Sequence, residues 1–241
     1  MSEPYDPENL LDRLSDRQTL ELHYAHVKER ERTLLARRLP LRGTDVLSVG
    51  AGWTVGRHLF PKGRFRLTAV DVDPTMVHLA IERGEADEAL VASAGELPFE
   101  PESFDVVLYR LALHHVAYQR PLGPVFEEAA RLLRPGGTMV ALEPGILHPV
   151  GAGLALANRL GLSRRIHGTV DDLPLSARSL RRNARAAGLV PEIHAVTYAW
   201  RRLPRPVQRA IYPLDRLGSL PILRDLGHHL LLLAGRPPIH S

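Results

Sequence analysis

Several groups of residues in this 241-residue chain have the types and spacing to do chemistry. The first is the run Val46-Leu47-Ser48-Val49-Gly50-Ala51-Gly52, followed by Asp71 and Val72. Glycines at 50 and 52 let the backbone turn sharply and come close to a ligand with no Cβ in the way. An acid at the end of a second strand, about 20 residues further on, is placed to accept hydrogen bonds from two vicinal hydroxyls. Asp73 is a rival, but Asp73-Pro74 reads as the N-cap and first residue of a helix. That leaves Asp71 as the hydroxyl ligand.

The second group is Tyr109-Arg110-Leu111, which follows a fourth strand, with Leu113-His114-His115 just beyond. Open α/β sheets bind ligands at the carboxyl ends of their strands. There His114 or His115 is a candidate general base, because imidazole titrates near neutrality. Glu143, at the end of a fifth strand, could orient an acceptor or a histidine, or pair with a nearby arginine. No metal centre is expected. His167, Asp171 and Asp172 invite that reading, but an acid pair before Leu173-Pro174 is more simply a turn. His228 and His229, if adjacent on a strand, would point to opposite faces.

The elements that must position these residues are legible from periodicity. Leu10, Leu14, Leu20, Leu34, Leu35 and Leu39 recur at helical spacing up to Pro40. Short apolar strands are expected at Val46–Val49, Phe65–Val72, Ala89–Ser93, Phe104–Tyr109 and Thr138–Leu142. Helices are expected from Asp73 and over Pro124–Leu133, the latter stopped by Pro135-Gly136-Gly137. Beyond Gly145 the pattern predicts a loop with a short helix around Leu154–Leu160. It then predicts a helix over Ser176–Ala187, a strand over Val190–Trp200, a helical insertion over Pro206–Leu226 and a last strand over His229–Ala234. Alternating strands and helices imply βαβ units and a parallel sheet.

Read together, the glycine turn with Asp71 and the stretch from Leu113-His114-His115 to Arg134-Pro135-Gly136-Gly137-Thr138-Met139-Val140-Ala141-Leu142-Glu143-Pro144 resemble the class I S-adenosylmethionine (SAM) dependent methyltransferases. The similarity is to the type-11 branch, typified by quinone-biosynthesis enzymes, and it covers residues 40–145 well. It implies a Rossmann-like α/β fold: a seven-stranded, mostly parallel sheet with an antiparallel last strand, helices on both faces and an N-terminal helical lid. It implies SAM as cofactor, touched by Gly50, Ala51, Gly52, Asp71, Val72, Ser93, Ala94, Gly95, Arg110 and Leu111. Asp71 would take the ribose, Val72 would lie beside the adenine, and the resemblance further implies a substrate pocket lined by Tyr24, His115 and His148. The chain departs from the family pattern at Ser48 and Ser93, where an acid is common, and at Thr54, where a glycine is usual. Trp53 occupies the tip of the turn.

The expected layout is one domain over 1–241, with a lid (1–40), a SAM-binding core (41–145) and substrate-side insertions with the last strands (146–241). The expected reaction is methyl transfer to a small, rather hydrophobic metabolite at oxygen or carbon. Such a reaction needs alignment more than covalent help. The alternatives are SAM binding without methyl transfer, an RNA or protein methyltransferase, and a nicotinamide-dependent oxidoreductase. The last is disfavoured, since Gly56 falls six positions after Gly50 rather than five.

Composition narrows the partners. There is no cysteine, hence no disulfide or thiolate chemistry. No apolar run approaches the ~18 residues of a membrane span, and the polar, acidic start is not that of a signal peptide, so a cytoplasmic protein is expected. Residues 1–150 carry 17 Lys and Arg against 22 Asp and Glu, whereas 151–241 carry 14 against 5. These arginines are dispersed and aromatics are sparse, which reads as a solvated surface rather than a nucleic-acid platform. The Leu-, Ala- and Pro-rich insertions at 145–175 and 201–227 suggest a small-molecule acceptor pocket with apolar walls.

Overall fold

The structure is a computed structural model that describes residues 16–36, 39, 45–52, 55–162 and 173–238. Trp53, Thr54, His167, Asp171 and Asp172, and the expected lid before residue 16, lie outside the described residues. The elements in chain order are α1 (Arg17–Ala36), β1 (Asp45–Val49), β2 (Arg66–Asp71), α2 (Pro74–Glu82), β3 (Glu88–Val91), β4 (Phe104–Arg110), α3 (Leu113–Gln119), α4 (Gly123–Leu132), β5 (Leu133–Pro144), α5 (Pro149–Arg159), α6 (Ala177–Ala186), β6 (Val190–Thr197), α7 (Arg205–Ile211) and β7 (His229–Gly235). Two 3-10 turns, Tyr212–Leu217 and Arg224–Leu226, precede β7.

The seven strands form one sheet in the order β3-β2-β1-β4-β5-β7-β6. The first five pair in parallel, while β7 runs antiparallel between β5 and β6. This is the Rossmann-like sheet with a reversed last strand that the family resemblance implied. The central strands are apolar on both faces, as a sheet covered on both sides requires. Leu47, Val49, Val107 and Tyr109 pack with Phe126, Leu132 and Leu180 on one side. Val46, Val106 and Leu108 pack with Val27, Leu35 and Ala80 on the other.

Local boundaries differ from expectation in four places. The helix α3, which carries both His114 and His115, begins right after β4. The helix α5 begins at Pro149, five residues earlier than expected, because His148 caps it by accepting from Val150 N (3.2 Å). The Pro135-Gly136-Gly137 turn lies inside β5: Phe104 pairs with Leu133 and Val106 with Thr138, so the extra residues are accommodated as a bulge. Gly137 is needed there, since a Cβ would sit 2.9 Å from the carbonyls of Arg134 and Asp105. The expected insertion helix over Pro206–Leu226 is broken into α7 and the two 3-10 turns, consistent with Pro213 and Pro221 interrupting it.

The helix α1 starts on Asp16, whose carboxylate accepts from Thr19 N (2.8 Å). It is fastened across the sheet edge by ionic contacts rather than apolar ones alone. Glu31, buried, takes Arg110 Nε at 3.1 Å and Nη2 at 3.2 Å, and His58 at 3.1 Å. Burial alone would raise the Glu31 pKa, but the hydrogen bond from His58 and the charge of Arg110 outweigh it and hold the carboxyl below its ordinary value. His26 meets Asp215 at 2.7 Å, and Arg30 donates to the Asp215 carbonyl at 2.6 Å. Among the described residues no helix is long and apolar enough to cross a membrane.

Candidate active site

The carboxyl ends of β1, β2, β4 and β5 meet where the sequence placed its candidates. The glycine turn after β1 is pinned to β2, with Gly50 N and Ala51 N both donating to the Val70 carbonyl (2.8 and 3.1 Å). Gly50 has φ +65 and Gly52 φ +47, the left-handed region that favours glycine. A Cβ on Gly50 would lie 2.7 Å from Ala112 Cβ. Gly50→Ala is therefore expected to push the β4–α3 connection away and to lower stability by about 1–3 kcal/mol through strain and overpacking. Chemical denaturation checks this, and a variant as stable as the parent would mean that the turn has slack.

Asp71 stands at the end of β2 with its carboxylate already oriented. Oδ2 accepts from Gly52 N (2.9 Å) and Oδ1 from Asp73 N (3.0 Å). Each oxygen keeps a lone pair for a further donor. Asp73 caps α2 through Thr75 N (2.8 Å), as expected. Val72 is 68% exposed, an apolar side chain left at the ligand edge. A backbone cradle closed to Cβ atoms, a preset carboxylate and an exposed apolar neighbour together fit an adenosyl group. Ser93 Oγ accepts from Arg120 Nη2 (2.9 Å), and the Arg120 guanidinium lies 3.2–3.3 Å from where a Cβ on Gly95 would be. The sequence reading did not single out Arg120. It comes from the end of α3, and only the fold brings it over the Ser93–Gly95 segment. Ser48 is buried within β1.

The second group is organised by Glu143. Its buried carboxylate accepts from Ala112 N (3.1 Å), Leu113 N (2.8 Å) and His114 N (3.3 Å), and lies 2.7 Å from His114 Nδ1. Of the roles open to it, Glu143 takes that of orienting a histidine, while also satisfying the free amides that begin α3. His115 is half-buried, its ring 4.1 Å from that of His114. Arg110 is buried and its guanidinium is directed to Glu31, so it ties α1 to the sheet edge. Leu111 adopts φ +56 with its amide donating to the Leu142 carbonyl (2.8 Å). For a bulky residue this conformation costs about 1–2 kcal/mol, a strain typical of functional edges.

One expectation is corrected. His228 and His229 do not face apart. His228 precedes β7, and its amide donates to the Thr197 carbonyl (2.7 Å) where β6 is irregular. The local backbone therefore departs from the two-residue pleat of a strand. Their rings lie 4.5 Å apart at 28°, with His148 4.9 Å from His228 and His23 6.3 and 6.1 Å from the two. Burial first, and then neighbouring histidines and Arg201, push the pKa of His228 well below the usual histidine value. Burial, His23, Arg110 and Arg201 do the same to His229. His23 falls to about 4, from burial, Arg201 and His26. His148 is lowered by burial, against a hydrogen bond to the Tyr198 carbonyl (3.0 Å). Tyr24 stands at the rim, its hydroxyl accepting from Arg201 (3.1 Å). Among the described residues no group of three His, Asp or Glu is arranged to hold a metal ion.

The comparisons with known proteins agree with the fold. A type-11 methyltransferase domain family matches residues 47–141. A demethylmenaquinone methyltransferase of Tropheryma whipplei is 31% identical over 103 residues, 42% of either chain. A 27-O-demethylrifamycin SV methyltransferase of Amycolatopsis mediterranei is 34% identical over 167 residues, 66% of this chain and 58% of its own length. The chain thus spans less than two thirds of these relatives. Among solved structures, a SAM-dependent methyltransferase of Thermotoga maritima superposes with a TM-score of 0.64 at 15% identity, covering 91% of each chain. A geranyl diphosphate C-methyltransferase of Streptomyces coelicolor superposes at 0.59 and 17% identity, covering 96% of this chain and 87% of its own. Over residues 47–141 the chain is similar to the type-11 methyltransferase domain family, and its fold is that of the solved SAM-dependent methyltransferases.

Proposed function

We propose that this protein, acting as one domain, transfers the methyl group of SAM to a small, rather hydrophobic acceptor at oxygen or carbon. The observation that carries the reading is Asp71, held upright by Gly52 and Asp73 beside a glycine cradle in a chain similar to this family. Gly50, Ala51 and Gly52 would pass under the amino-acid part of the cofactor, Asp71 would take the ribose hydroxyls, and Val72 with Ser93, Ala94 and Gly95 would flank the adenine. Arg110 and Leu111 define the floor beneath the methyl group. When bound, SAM supplies a sulfonium whose methyl is already electrophilic, so the residues contribute position and exclusion of water. His115 would line the acceptor entrance, with His114 and Glu143 buried behind it as the pair that positions α3, and with Tyr24 and His148 on the side of α1 and α5. Exposed Leu147, Leu156 and Leu160 around α5, and Leu220, Ile222 and Leu226 before β7, give that side the apolar character a hydrophobic acceptor needs. The curated relatives, named for demethylmenaquinone and demethylrifamycin, support the small-molecule reading.

Calorimetric titration with S-adenosylhomocysteine (SAH) tests the cofactor part. The parent is expected to bind in the micromolar range, roughly −8 kcal/mol. Asp71→Ala is expected to weaken binding by tenfold or more, since it removes charge-assisted bonds to the ribose and frees the glycine turn. An unchanged affinity in the variant would displace Asp71 from the ribose. The absence of any binding in the parent would overturn the reading as a whole.

A further inference from the structure

We infer that the histidine cluster of His23, His228 and His229 is a recognition site for an uncharged oxygen of the acceptor, a phenol, alcohol or ketone, beside the methyl-transfer centre. The inference rests on the methyltransferase reading and names the acceptor class that reading leaves open.

The location follows from a chain of contacts. Gly50 abuts Ala112, Ala112 is held by Glu143, and the residue after Glu143, Pro144, pairs with His229 across β5 and β7. The cluster therefore lies on the same carboxyl edge as the glycine turn, under α1. Its ring nitrogens are not used up. His23 is fully buried, yet neither Nδ1 nor Nε2 has a partner among the described residues, and the same holds for Nδ1 of His228 and of His229. Proteins seldom leave several buried polar atoms unsatisfied in one place without a ligand or water to satisfy them. His148 is different, since both its nitrogens are bonded, to Val150 N and the Tyr198 carbonyl. It frames the site without offering a bond. His228 and His229 keep 7% and 9% exposure, so the cluster touches the surface.

The ligand chemistry follows from the surroundings. The titratable and charged groups beside the three rings are Tyr24, His26, Arg201, Arg110 and His148, and none is a carboxylic acid. Two guanidiniums repel a metal cation, and the imidazoles themselves lack the carboxylate that orients metal-bound histidine. An acidic acceptor is not matched either. Arg110 is committed to Glu31 and Arg201 to Tyr24, while the imidazoles are held neutral by burial. Neutral imidazoles each offer one donor and one acceptor. That is the complement of a hydroxyl or a carbonyl on an apolar body.

The test uses the full chain saturated with SAH and three probes of one shape: 2-naphthol, naphthalene and 2-naphthoate. Binding is followed by probe fluorescence. We expect 2-naphthol to bind at least tenfold tighter than either of the others, and the preference to shrink below threefold in His228→Asn and His229→Asn, with SAH affinity kept. Nitrogen-15 spectra of the parent provide a check independent of those variants folding: 2-naphthol is expected to move the ring-nitrogen signals of His23, His228 and His229, and naphthalene to leave them. Equal binding of 2-naphthol and naphthalene, a preference for naphthoate, or zinc uptake that the two variants abolish would each overturn the inference. If SAH binds and the naphthol preference is missing, only this inference falls. If SAH does not bind, the methyltransferase reading falls with it.

Discussion

Lowering the pH from 7.5 to 5 is expected to remove about 2 kcal/mol of folding stability through His23, with further loss in the same direction from His148, His228 and His229. The unfolded chain protonates His23, His148, His228 and His229 near pH 6.5, whereas the fold holds all four below that value. A group with a depressed folded pKa contributes its stability above the unfolded pKa and loses it as pH falls toward the folded one. For His23, at about 4, the window is 6.5 down to 4, and by pH 5 the loss is about 2 kcal/mol. The other three move in the same direction and add to it. Glu31, whose pKa is also depressed, begins to lose its contribution only as pH falls through the ordinary carboxylate range, beneath most of this window. A typical domain holds about 5–15 kcal/mol, so the His23 loss by itself is a sizeable part of the total. Guanidinium denaturation at pH 7.5, 6.5, 5.5 and 5 measures it, and the double variant His228→Asn/His229→Asn is expected to flatten the slope. A midpoint that holds steady across that range in the parent would show that the cluster is already protonated, or open to water, in the native state.

Glu143→Ala is expected to be the most damaging single substitution at the site. The carboxylate is buried and meets three backbone amides and an imidazole nitrogen. Its removal leaves those donors unpaired in the interior, a loss of about 3–5 kcal/mol by analogy with one partner deleted from a buried pair. The consequence reaches the cofactor, because Ala112 and Leu113 are what Glu143 holds, and Ala112 seats the Gly50 turn. SAH affinity is therefore expected to fall by tenfold or more even at temperatures where the variant is folded. Glu143→Gln keeps the shape and an acceptor oxygen for Ala112 and Leu113, but presents an amide to His114. It is expected to recover about half the stability. Equal stability of parent and Ala variant would mean that water replaces the carboxylate at α3.

The site divides cleanly by the range of the interactions that form it. Gly50, Gly52, Asp71 and the Asp73-Pro74 cap were legible because each acts through backbone within a few residues of itself or across one strand pair. The strands were legible because burial on both faces demands unbroken apolar runs such as Val106-Val107-Leu108. Arg110 was placed at the correct edge, yet its partner was not foreseen, since Glu31 lies 79 residues earlier on a helix whose docking no local pattern reveals. The helix α3 was missed because its seven residues, Leu113–Gln119, are too few for periodicity, and its first amides are satisfied by distant Glu143 rather than by a local capping side chain.

By itself the sequence determined the strands of the sheet, the glycine turn and the carboxylate at the end of β2, all of which rest on local conformational preference and on unbroken apolar runs. Tertiary structure alone decided what the polar residues do with one another. It turned Glu143 into the anchor of α3, set Arg110 against Glu31, laid Arg120 over Ser93, and gathered His23, His228 and His229 from the two ends of the chain. The physical reason is that a hydrogen bond or an ion pair depends on a few ångströms between side chains far apart in sequence, and only the packed sheet sets those distances.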